Sequence, residues 1–159
     1  MKMVMSDAAK LAEKLRALGL TLSIAESCTG GMISSMLTEL PGASEFFLGS
    51  AVTYSNDSKI DILNVCTETL KEYGAVSKET AKEMAIGART VFGSDISASV
   101  TGIAGPSGGT ESKPLGLVFI AAFDGTDLRV FENHFEGSRK DIQRAAAVKV
   151  ISIISELIG

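Results

Sequence analysis

Apolar residues change their spacing several times along the chain, and each change predicts an element. Within residues 6–18, Ala9, Leu11, Ala12, Leu15 and Leu18 recur at helical intervals with lysines and Glu13 between them, so an amphipathic helix opens the pattern and Gly19 stops it. Residues 22–26 are a short apolar run that suits a buried strand, and residues 32–40 return to helical spacing. After the Pro41-Gly42 break, residues 46–54 are rich in aromatic, β-branched and small side chains, as a strand is. Ser55, Asn56 and Asp57 are good caps for a helix that packs Ile60, Ile62 and Leu63 inward, with Tyr54 and Lys59 on either side of its start. Residues 67–73 predict a short helix ended by Gly74, and residues 77–92 a longer one with Ala81, Met84, Ala85, Ala88 and Val91 on its buried face. Residues 95–102 read as a strand, and residues 117–123 and 128–135 as two more around the turn at residues 124–127. The last stretch is helical. Ser138 with Asp141 three residues on resembles a capping box, and Ile142, Ala146, Val150, Ile153 and Leu157 form an apolar stripe.

Strands before helices early and a hairpin late predict a three-layer α/β/α fold with a mixed sheet, in a single domain over residues 1–159. Ligands in such sheets gather at strand carboxyl ends. Three polar stretches fall there, at residues 26–31, 54–59 and 101–109. In the first, Gly30 and Gly31 let the backbone turn sharply and approach a ligand, and the helix that follows aims its first N–H groups and positive dipole end at whatever sits over the turn. An anion or a developing oxyanion suits that place. An ordinary connection capped by Thr29 would use the same residues, and a capped helix with a solvated Lys59 would account for the second stretch. The signal is the convergence of all three. The glycine- and proline-dense segment at residues 103–116 is also longer than a plain connection in a compact domain.

Composition narrows the classes. Hydrophobic residues make up 45% and charged residues 21%, which fits a globular protein rather than a disordered or fibrous one. Apolar stretches such as residues 115–123 fall short of the roughly 20 residues a membrane helix needs. Residues 1–6 carry one lysine and no apolar leader-like run, so a cytoplasmic location is expected. Fifteen basic against nineteen acidic side chains leave a charge of −4, unsuited to a nucleic-acid backbone. Cys28 and Cys66 are too far apart for metal-ligand spacing, so neither a metal nor a cofactor is expected. His134, the single histidine, reads as a strand-surface residue.

Four stretches carry a resemblance: Ala25-Glu-Ser-Cys-Thr-Gly-Gly31, Tyr54-Ser-Asn-Asp-Ser-Lys59, Tyr73-Gly-Ala-Val-Ser77, and Val100-Thr-Gly-Ile-Ala-Gly-Pro106 continuing to Lys113-Pro-Leu-Gly116. In this order they resemble the CinA C-terminal domain family, whose characterised members include the nicotinamide mononucleotide deamidases. The likeness runs over essentially the whole chain. Ser107 stands where members often have glycine, Asp57-Ser58 where Glu-Ala is common, and Gly137-Ser-Arg139 where Gly-Asp-Arg is usual. The resemblance implies an amidohydrolase that converts nicotinamide mononucleotide and water to nicotinate mononucleotide and ammonia. It also implies a homo-oligomer, and it puts catalysis on Ser27.

Amide hydrolysis by acyl transfer needs a nucleophile, a base, donors for the oxyanion and, for this substrate, donors for a phosphate. Ser27 is the expected nucleophile. Lys59 is the expected base, provided burial depresses its pKa towards about 7–8, with Tyr54 and Thr101 orienting the proton path. Cys28 is the rival nucleophile, but alternation along an extended strand turns Ser27 and Cys28 opposite ways. Substrate contacts are expected from Glu26, Thr29, Gly30 and Gly31 in the first turn and from Gly102, Gly105, Gly108 and Gly109 in the long loop. Which turn takes the phosphate and which the oxyanion stays open. Arg139 and Arg144 are the phosphate candidates, because a guanidinium fork matches that anion. Two other classes compete: a module of the same fold that binds a nucleotide or a protein without turnover, and phosphoryl transfer. The latter is disfavoured because the glycine loops lack Gly-x-x-x-x-Gly-Lys-Ser/Thr spacing.

Overall fold

Alternation along the first strand sorts the layers. The computed structural model describes residues 2–159, and in it Leu22 and Ile24 point to one face of the sheet while Ala25 packs on the other. The elements follow in the order α1 (Lys2–Leu18), β1 (Leu22–Glu26), α2 (Met32–Thr38), a 3-10 turn (Ala43–Glu45), β2 (Phe47–Val52), α3 (Asn56–Leu63), α4 (Thr67–Tyr73), α5 (Lys78–Phe92), β3 (Ile96–Gly102), β4 (Leu117–Phe123), β5 (Leu128–His134) and α6 (Arg139–Leu157). They build one mixed sheet in the order β2-β1-β3-β4-β5. Helices α1, α2 and α6 cover one face around Leu15, Leu22, Ile33, Leu37, Ile120 and Ile142. Helices α3, α4 and α5 cover the other around Leu63, Leu70 and Met84, and α5 continues over Leu117 and Phe119. The expected three-layer arrangement is present. The reading of residues 1–6 begins at Met1, which lies outside the described residues.

Strands β2, β1 and β3 run parallel, and their register sets Glu26 level with Val52 and Val100. β1 and β2 therefore finish together while β3 runs on two residues to Gly102, and the polar stretches at the three strand ends share one edge of the sheet. Strands β4 and β5 return antiparallel. Small residues let α5 lie close over this sheet: the Ser97 and Ser99 hydroxyls donate to the Ala85 and Ala81 carbonyls. Gly87 lets α5 approach the end of α3 closely, since a Cβ there would meet the Leu63 carbonyl oxygen at 2.1 Å. The end of α3, and Lys59 with it, is held by that contact.

Ser55, Ser77 and Ser138 cap their helices, and Asp141 completes the box at Ser138. Several expectations need correction. Helix α1 starts at Lys2 rather than residue 6, and α2 stops at Thr38. Ile62 is 45% exposed, because Lys59 and Leu63, four apart, define the buried face of α3 and leave Ile62 rotated off it. Val91 is likewise exposed, and Phe92 continues the packed face of α5 instead. Among the described residues no helix is long and apolar enough to cross a membrane.

Candidate active site

Where β1 ends, the chain enters the turn that carries Ser27. Its amide donates to the Val100 carbonyl of β3, so the first residue beyond the strand is still fixed to the sheet. The Ser27 carbonyl accepts from the Gly30 amide, and Gly30 and Gly31 both take positive φ, which closes the turn into α2. Glu26 is fully buried at the foot of this turn. Its carboxylate accepts from the amides of Gly31, Ile33 and Ser34 and from the hydroxyls of Thr29 and Ser34. The anion at the start of α2 is thus the protein's own side chain. Glu26 as a substrate contact is a correction: its oxygens are already occupied and shielded from solvent. Thr29 does not cap α2 either, because its hydroxyl serves Glu26, and the N-cap is Gly31.

Lys59 sits on the first turn of α3 with only 1% of its surface exposed. Its Nζ donates to the Thr53 carbonyl at 2.7 Å and to the Tyr54 carbonyl at 3.3 Å, and lies 3.0 Å from Ser27 Oγ. Burial lowers its pKa to about 8. The geometry of the neutral amine follows. Two N–H bonds are directed at the two carbonyls, so the lone pair is left facing the serine hydroxyl, where it can take the proton. Cys28 stands in a different setting. Its side chain belongs to the core between β1, α2 and α6, and burial pushes its thiol up to about 12. A thiol that stays protonated at neutral pH is a poor nucleophile.

A cavity of about 150 Å³ opens over the serine and lysine, lined by Tyr54, Ala75, Val76, Thr101, Gly102, Ala104 and Arg139 together with Ser27, Cys28 and Lys59. Thr101 Oγ1 donates to the Ala75 carbonyl, which ties β3 to the segment before α5. Arg139 reaches the rim from α6. Its guanidinium donates to the Gly105 carbonyl at 2.6 Å and to the Tyr54 hydroxyl at 2.9 Å, joining the long loop, the end of β2 and the last helix.

Of the residues expected at the site, Ser27, Lys59, Tyr54, Thr101, Gly102 and Arg139 meet at this cavity, and Gly105 touches it through Arg139. Arg144 does not. It lies on an outer groove with Asp7, Phe135 and Lys149, because five helical residues turn a side chain by roughly 140°. Gly108 and Gly109 are exposed and outside the cavity lining; Gly109 lets the loop fold back on Leu115, whose amide nitrogen a Cβ would meet at 2.7 Å. Sequence reasoning missed Gln143, whose side-chain amide donates to the Cys28 carbonyl at 2.9 Å. The signal was available: Gln143 is four residues after Arg139 and shares its helix face.

Comparisons with known proteins agree with this architecture. The CinA C-terminal domain model matches residues 5–158. CinA-like proteins of Syntrophomonas wolfei and Petrotoga mobilis are 50% and 52% identical over 136 and 126 residues, which is 86% and 79% of this chain but 33% and 31% of theirs. The chain spans about a third of the length of these curated relatives. Among solved structures, the competence/damage inducible protein CihA from Agrobacterium tumefaciens superposes with a TM-score of 0.96 at 39% identity, over 98% of this chain and 96% of that one. A CinA superfamily protein from Escherichia coli gives 0.93 at 32% identity, over 97% and 90%. With its mixed sheet, its serine turn and a match over nearly its whole length, the chain belongs to the CinA C-terminal domain family.

Proposed function

We propose that the protein is a serine-dependent amidohydrolase that converts nicotinamide mononucleotide and water to nicotinate mononucleotide and ammonia. The observation that carries this reading is the buried Lys59 amine 3.0 Å from Ser27 Oγ with its other donors on backbone carbonyls. Ser27 Oγ attacks the carboxamide carbon, its proton passes to Lys59, and the carbonyl π electrons move onto oxygen. When the tetrahedral centre collapses, Lys59 returns the proton to the departing nitrogen and ammonia leaves. Water then attacks the acyl-serine by the same path, releasing the carboxylate and restoring the hydroxyl. The cavity is of the size that holds one aromatic ring, about 150 Å³ in a known benzene-binding case, so the pyridine head enters it and the ribose phosphate stays at the rim, within reach of Arg139.

Ammonia release from the purified protein incubated with the mononucleotide tests the reading. Release that disappears in Ser27→Ala is the expected result. Release no greater than that of Ser27→Ala would sink it, and saturable binding without product would favour the non-catalytic module. A cytoplasmic homo-oligomer is part of the same proposal, and light scattering that finds a monomer would remove the oligomer from it.

A further inference from the structure

Two carbonyls in the turn after Ser27 are pinned, and pinning a carbonyl fixes the N–H of the same peptide. The Ser27 carbonyl accepts from the Gly30 amide at 3.2 Å, and the Cys28 carbonyl accepts from Gln143 Nε2 at 2.9 Å. In a planar trans peptide the N–H points opposite to the C=O. Gln143 draws the Cys28 carbonyl towards α6, on the α1, α2 and α6 face of the sheet. The Thr29 N–H of that peptide is therefore directed to the opposite face, where Lys59 of α3 approaches Ser27. Thr29 is 3% exposed and is not itself among the residues lining the cavity, but it directly follows Cys28, which is, and its amide has no acceptor among the described residues. Buried backbone amides without a partner are rare, and one that follows a nucleophile invites a ligand atom.

From this geometry we infer that Gln143 is a positioning residue that holds the Ser27–Thr29 turn so that the Thr29 amide, beside that of Cys28, receives the oxyanion formed when Ser27 attacks. The inference rests on the proposed serine chemistry and adds to it which donors stabilise the charge and what keeps them aimed. Gln143 itself touches no reacting atom. It acts from behind the turn, through the Cys28 carbonyl. The same contact explains why the turn keeps its shape although its glycines would permit others.

A fluorophosphonate tests this without assuming the natural substrate. Ser27 Oγ forms a bond to phosphorus, fluoride leaves with the P–F electrons, the hydroxyl proton passes to Lys59, and the phosphoryl oxygen takes the oxyanion position. Intact-mass measurement of the labelling rate should give a modified wild type and an unmodified Ser27→Ala. Gln143→Leu and the isosteric Gln143→Glu, neither able to donate to the carbonyl, should label at least about tenfold more slowly, with the roughly 10²–10³-fold loss seen when an oxyanion donor is removed outright as the ceiling. The loss should lie in the limiting rate at saturating reagent rather than in the concentration giving half that rate, with the thermal midpoint unchanged; a merely structural role would lower the midpoint instead. Wild-type labelling with both variants equally fast would overturn the role of Gln143 and leave the nucleophile standing. A wild type unmodified at Ser27 would remove the nucleophile and this inference together. A crystal structure of the wild-type adduct needs no variant. It should bring the phosphoryl oxygen to about 3 Å from the Thr29 nitrogen, and an oxygen turned away from both amides overturns the assignment.

Discussion

At the scale of single residues, Lys59 links stability to chemistry. Its folded pKa of about 8 lies below the ordinary 10.5, so between those values the unfolded chain holds a proton that the folded one has released. Stability should therefore rise with pH through that window, and the burden of the buried charge is fully present below pH 8. At 1.36 kcal/mol per unit the upper bound is about 3 kcal/mol. Urea unfolding at a series of pH values is expected to show this slope in the wild type and to lose it in Lys59→Met. Under the proposed serine chemistry the same titration governs turnover: kcat/KM should climb to a plateau through about pH 8 as the amine loses its proton, and a profile flat from pH 6 to 9 would exclude Lys59 as the base. Cys28→Ala should keep most of the turnover, because a thiol pushed to about 12 contributes almost no thiolate. Thr53 is a different case. Its hydroxyl is buried with no partner, so Thr53→Val is expected to stabilise the fold by about 1 kcal/mol in the same unfolding experiment.

Among the elements, the turn between β1 and α2 depends on a carboxylate that looked like part of the site. Glu26 and the polar residues after it were legible in the sequence as a cluster, but a cluster does not say which members face solvent. Burial decides that, and it depends on helix α2 folding back over the strand end. Glu26→Ala strands three amides and two hydroxyls, and should lower stability by about 3 kcal/mol or more, measured by denaturant midpoint, with activity lost alongside. Serine caps at 55 and 138 were legible for the opposite reason, since a cap and its partner lie within three residues. Arg139 and Arg144 could have been separated by helical arithmetic alone, but only the loop and strand contacts identify which of their two directions leads to the cavity. Arg139→Ala is accordingly expected to raise KM more than it lowers kcat, while Arg144→Ala leaves both near the wild-type values in steady-state kinetics.

For the molecule as a whole, parallel pairing of three adjacent strands turns separate stretches of sequence into one cavity. Periodicity revealed the strands, and their number and type suggested layers, yet nothing local encodes that β1 lies between β2 and β3. That order is what puts Ser27 beside Lys59, which is 32 positions later, and brings Arg139 to Tyr54 across 85. Helix α6 contributes both the guanidinium at the rim and the amide behind the serine turn, and it follows every other element along the chain. A growing polypeptide consequently exposes Ser27 and Lys59 before α6 exists to bring Arg139 to the rim and Gln143 behind the turn, so the walls of the cavity are put up in the order in which the chain emerges.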